Sequence, residues 1–154
     1  MGKKFLGIRT SPSEVRYAIL ENSADRGVIF VNATSENKLQ YPASLTTTPE
    51  KLRWLKGEMD RIFRQVPDIE QTILKTNEYT GTETKSKRES SYADAVCILA
   101  AYEHQIPVVC KLYTQIGSTS QESMGHAESR VGRIDKYWNK QIADAILAAH
   151  SAMR

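Results

Sequence analysis

Three groups of basic residues in this sequence have the composition needed to grip phosphate. Lys85, Lys87 and Arg88 form one, Arg130, Arg133, Lys136 and Lys140 a second, and Lys3, Lys4 and Arg9 a third. Clustered cations neutralise the nucleic-acid backbone, whereas scattered ones merely solvate a surface. A solvated face is the competing reading of each group. Tyr79, Tyr92, Tyr102, Tyr113 and Tyr137 carry ring faces on which bases stack, or else pack as core and rim. Among the histidines His104, His126 and His150, His126 just past Gly117–Gly125 is the best placed for acid–base work. Cys97 and Cys110 lie in apolar stretches and read as small buried side chains rather than a disulfide or a zinc site.

The 154 residues are enough for one domain with a substantial core, and a single domain over 1–154 is expected. With 40% hydrophobic and 25% charged residues, neither disorder nor a coiled coil is favoured. A net charge of +3 gives only weak support for a nucleic-acid partner, so the placement of charge matters more than its total. No apolar run approaches the roughly 20 residues of a membrane span, and Lys3 and Lys4 interrupt the start too early for a signal peptide. The expectation is a cytoplasmic protein with no membrane partner.

Those side chains need elements to hold them. Lys4 to Ile8, Val15 to Leu20 and Val28 to Asn32 read as three strands in hairpin succession, separated by Ser11-Pro12-Ser13 and Asp25-Arg26-Gly27. A loop follows from Ala33 to Thr47. Thr48-Pro49-Glu50 then starts a helix whose apolar spacing, Leu52, Leu55, Met59, Ile62, Phe63 and Val66, runs to Pro67. Thr72 to Thr76 reads as a fourth strand and delivers Glu78 at its end. A second helix is expected over Arg88 to His104. It is apolar nearly all round from Ala93 to Tyr102 apart from Asp94, which points to burial on two sides, one of them a candidate subunit contact. Ile106 to Leu112 reads as a fifth strand, Gly117 to Gly125 as a mobile loop, and about Asp135 to Ala149 as a last helix. Asp144 falls off that helix's stripe of Trp138, Ile142, Ala145, Ile146 and Ala149.

The order β-β-β-α-β-α-β-α, antiparallel first and parallel later, is that of RNase H-like domains, and three local sequences bring the match closer to the RuvC-like, Holliday-junction resolvase branch. Phe5-Leu6-Gly7-Ile8-Arg9 resembles its first strand, with Arg9 in place of an aspartate. Glu78 and the stretch Ser91 to Leu112 resemble its second acid and the helix and strand that follow. Gln115-Ile116-Gly117-Ser118 and Ala143-Asp144-Ala145 resemble its last segment. The resemblance implies an α/β fold, a mixed five-stranded sheet with helices on both faces, and a nuclease using two magnesium ions held by converging carboxylates.

At the matching positions stand Arg9, Glu78, Gln141 and Asp144, so only Glu78 and Asp144 remain as catalytic and metal-binding candidates. A guanidinium in an acid's place repels the ions whose ligand it replaces, and it is expected either to bind phosphate or to pair with Glu78 or Asp144. Glu14 and Asp135 are the candidates to complete a rearranged acid set. The resemblance therefore implies a DNA- or RNA-binding domain of impaired nuclease activity, contacting nucleic acid through Arg9, Lys85, Lys87, Arg88, Arg130 and Arg133. A magnesium-dependent, structure-selective endonuclease with a rearranged acid set and a dimeric interaction module are the alternatives.

Overall fold

A computed structural model describes residues 2–135 and 138–153. In chain order they form β1 (Lys4–Thr10), β2 (Glu14–Ser23), β3 (Gly27–Phe30), β4 (Lys38–Gln40), α1 (Thr48–Gln65), β5 (Ile69–Lys75), α2 (Lys85–Glu103), β6 (Val108–Lys111), a 3-10 turn (Tyr113–Ile116), α3 (Ser123–Val131) and α4 (Lys140–His150). Five strands lie side by side as β3-β2-β1-β5-β6, and β4 adds a sixth on β2. β1 pairs antiparallel with β2 and parallel with β5, and β5 pairs parallel with β6. The antiparallel opening and parallel second half follow the sequence expectation.

β4 falls in what reads as a loop. Its three residues are too few for a period-2 pattern, and a side chain sets its place. Asn32 accepts a hydrogen bond from Ile19 N–H at 2.7 Å and donates to the Tyr17 and Glu36 carbonyls, which folds the following loop back onto β2. α1 also begins one residue from its expected cap. Thr47 accepts from Glu50 N–H, and the Glu50 carboxylate accepts from Thr47 N–H, a reciprocal capping box.

Alternation along β1 splits the molecule into two cores. Leu6 and Ile8 face α1 and α2, whereas Phe5 faces the α3–α4 side. Helices thus cover both faces of the sheet. Gly7 is what lets α4 lie on β1: a Cβ there would stand 1.8 Å from the Ala145 carbonyl oxygen. That close approach encloses α4, and every residue from Ile142 to Ala149 is buried.

Several expectations shift. The region read as a mobile loop holds Gly117, left-handed at φ +71° where it closes the 3-10 turn, and then the start of α3 at Ser123. α4 begins at Lys140 rather than near Asp135, and Lys136 and Tyr137 lie outside the described residues. Cys97 is buried, but Cys110 is exposed because β6 is an edge strand. The inner stripe of α2 buries Ser90, Ala93, Asp94, Cys97, Ala100 and Ala101, while Tyr92, Leu99 and Tyr102 on its outer side are exposed.

Candidate functional site

Two parallel neighbours, β1 and β5, set the site. Ile8 is the register partner of Leu74, so the next residues, Arg9 and Lys75, leave the ends of adjacent strands on the face that α4 covers. Arg9 Nη1 donates to the Lys75 carbonyl at 3.0 Å, and its Nε lies 3.3 Å from Asp144 Oδ2. Lys75 is fully buried, with its Nζ 3.0 Å from Glu78 Oε2 and also donating to the Thr76 carbonyl. Arg9, Glu78 and Asp144 therefore do come together, with the Lys75 ammonium inserted among them.

Tyr113, in the 3-10 turn after β6, closes the constellation from the other side. Its hydroxyl donates to the Asp144 carboxylate, 2.9 Å from Oδ2 and 3.1 Å from Oδ1. Its N–H donates to Glu78 Oε2 at 3.1 Å, and its ring lies under the Lys75 ammonium at 3.9 Å. On the opposite face of the sheet Thr10 donates to Asp94 Oδ1 at 2.7 Å.

Burial and charge compete at each group. Burial lowers the pKa of Lys75, the neighbouring Arg9 charge pushes the same way, and Glu78 opposes both. Burial raises Glu78, but the Lys75 and Tyr113 hydrogen bonds and the two cations outweigh it, so Glu78 titrates below the usual range. In Asp144 burial prevails over Arg9, Tyr113 and Lys75, and its pKa is raised. Asp94 is pushed up by burial to about 6 despite the Thr10 hydrogen bond.

This arrangement does not fit magnesium. Two hard cations want several converging oxygen ligands with room between them. Here that room holds an ammonium and a guanidinium, and both Asp144 oxygens are already hydrogen-bonded. Among the described residues no group of three or more His, Cys, Asp or Glu side chains is placed to hold a metal ion. Gln141 is half-buried one turn before Asp144, Glu14 pairs with Arg16, and Asp135 is exposed. None of the three joins the set.

The site opens into a cleft of about 510 Å³ that Arg9, Lys75, Lys87 and Lys140 line, with Glu78 the one carboxylate on its wall among the described residues. Of the other basic candidates, Lys85 is exposed, Arg88 is paired with Glu83 at 2.7 Å, and Arg130 and Arg133 are exposed. Arg130 sits where its charge reaches His150, at the far end of α4 from Lys140. These four do not line the cleft. Lys75 belongs to the site although only its strand is marked in the sequence, Lys140 belongs to it as one member of a basic group, and Tyr113, a candidate for stacking or packing, turns out to be a hydrogen-bonding member of the site. His104 bonds Asp60 at 3.0 Å and lies outside it.

The strand order, the mixed pairing and the helices on both faces define the RuvC-like form of the RNase H-like fold. Solved structures of Holliday-junction resolvases are among those that share it. T. thermophilus RuvC in complex with a Holliday junction substrate is similar with a TM-score of 0.76 and 12% identity over 97% of this chain and 91% of that one. A second Thermus thermophilus RuvC structure is similar at 0.74, with 11% identity over 96% and 92%. The yeast mitochondrial Holliday junction resolvase Ydc2 is similar at 0.58, with 12% identity over 97% and 77%. At such identity the likeness is one of fold. No protein-family model matches the sequence, and no curated protein matches it.

Proposed function

We propose that this chain is a nucleic-acid-binding domain of RuvC-like fold whose metal-dependent nuclease chemistry is lost. One observation carries the reading: Arg9 and the buried Lys75 occupy the space between Glu78 and Asp144 in which divalent ions would have to sit. These two cations take the place of the metal ions and leave the floor of the cleft neutral rather than acidic where a phosphate approaches. DNA is the favoured partner, because a solved RuvC of this fold is bound to a Holliday junction. A junction-binding assay in magnesium tests it. Binding that weakens steeply with salt, without strand cleavage, is expected. Cleavage that disappears in Glu78→Ala and Asp144→Ala would instead favour the endonuclease reading, and preference for RNA duplexes would change the partner.

Self-association through α2 is a second reading. Tyr92, Ala95, Leu99 and Tyr102 stand exposed at the 3-4-3 spacing of a helix–helix seam, and among the described residues no element covers them. Sedimentation of the wild type and of Leu99→Glu tests this. A dimer that the substitution dissociates is expected, and a monomer at high concentration would remove the reading.

A further inference from the structure

Among the described residues, the four cations that line the cleft divide into two classes by what already engages them. Arg9 is held by Asp144 and the Lys75 carbonyl. Lys75 is held by Glu78, the Thr76 carbonyl and the Tyr113 ring, which occupy the three directions of its ammonium. The outer two differ. Lys87 donates to the Thr80 and Thr82 carbonyls, and Lys140 to the Ser120 hydroxyl. Among the described residues neither makes an ion pair. By donor count Lys87 keeps one N–H, and Lys140 keeps one besides that toward the Tyr113 ring, 5.9 Å from its ammonium; Ser120, having accepted from Lys140, keeps its own O–H. The Lys140 charge also acts on Asp144, but among the described residues neither rim ammonium is neutralised by a direct ion pair as the inner two are.

We propose that this outer rim is a metal-independent phosphate subsite, in which one phosphodiester of the nucleic-acid backbone is held between Lys87 and Lys140 with the Ser120 hydroxyl as an added donor. The inner ion pairs hold the floor of the cleft in place, and the rim supplies the attraction. The assignment rests on the nucleic-acid reading above and narrows it to a place and to a mode of binding without divalent ions.

The test uses the full chain and a fluorescein-labelled four-way DNA junction, with and without chelator. Lys87→Gln and Lys140→Gln are compared with Arg26→Gln, which removes the same charge from an exposed turn position that does not line the cleft. Each rim substitution should weaken binding about fivefold at near-physiological salt and lower the salt slope by about one, whereas Arg26→Gln changes neither appreciably. Chelator should have no effect. If all three substitutions weaken binding equally, the attraction is diffuse: the subsite is overturned and the nucleic-acid reading survives. If chelator abolishes binding, a metal holds the phosphate and the subsite is overturned too. If the junction does not bind at all, the nucleic-acid reading fails, and inorganic phosphate decides the rest. Phosphate shifts of the Ser120 amide resonance that vanish in Lys140→Gln keep the subsite, and their absence in the wild type removes it. Lys140→Arg should restore junction binding, which a merely structural loss would not allow.

Discussion

Arg9 Nε stands 3.3 Å from Oδ2 of Asp144, a carboxylate that is almost fully buried on a helix enclosed on all sides. The pair ties the end of the first strand to the last helix and cancels the charge of both residues. It also makes the two cations of the site unequal in what their loss would cost.

Arg9→Met should destabilise the protein by about 3 kcal/mol, because it strands a buried carboxylate that only the Tyr113 hydroxyl still satisfies. Lys75→Met should cost about 1 kcal/mol or less, since Glu78 is 37% exposed and can rehydrate while the methionine fills the space. With Arg9 gone, Asp144 rises further above its unfolded pKa. A raised acid stabilises at low pH and loses that contribution as pH climbs through its folded value, so the deficit of Arg9→Met should be smaller at pH 5 than at pH 7. Urea denaturation at both pH values measures this, and equal losses for the two variants would refute the asymmetry.

Gly7→Ala should cost about 3 kcal/mol, since the new Cβ would stand 1.8 Å from the Ala145 carbonyl and drive α4 off β1. Gly57→Ala, in α1 with open space around it, should instead stabilise by about 0.5–1 kcal/mol through helix propensity. Thermal denaturation of the pair checks both signs.

Asp94→Asn probes the other side of the sheet. The Asp94 carboxyl is raised from 3.8 to about 6, so the folded state holds its proton more tightly than the unfolded chain. Its stabilising contribution is complete below pH 3.8 and is lost as pH rises through about 6. Asparagine keeps an acceptor for Thr10 and does not titrate. Relative to the wild type, Asp94→Asn should therefore gain about 2 kcal/mol between pH 4 and pH 7, read from chemical denaturation. Parallel pH profiles for the two proteins would contradict this.

Much of this was legible from residue order alone. Hairpin strands and helices announced themselves by periodicity and turn residues, the parallel second half by the alternation of strands with helices, and Arg9 stood out because the resemblance places an aspartate at its position. Lys75 did not stand out. It reads as one more residue of the strand from Thr72 to Thr76, and only its parity with Ile73 and its register beside Arg9 place it in the site. Asp144 misled for the opposite reason. A helical wheel assumes one solvated face, and α4 has none, because Gly7 admits it onto the sheet while α3 covers its back. α3 itself begins inside a Gly/Ser-rich stretch, and its helix is held by packing on α4 rather than by an apolar stripe.

The claim that the site's own cations stand in for metal ions is tested most directly by titrating the full chain with magnesium while following the backbone resonances of Glu78 and Asp144. The expected result is no saturable change at millimolar magnesium in the wild type, with binding appearing in the double variant Arg9→Asp, Lys75→Met, which restores a third carboxylate and empties the space between them. Saturable magnesium binding by the wild type that is lost in Glu78→Ala would contradict the account.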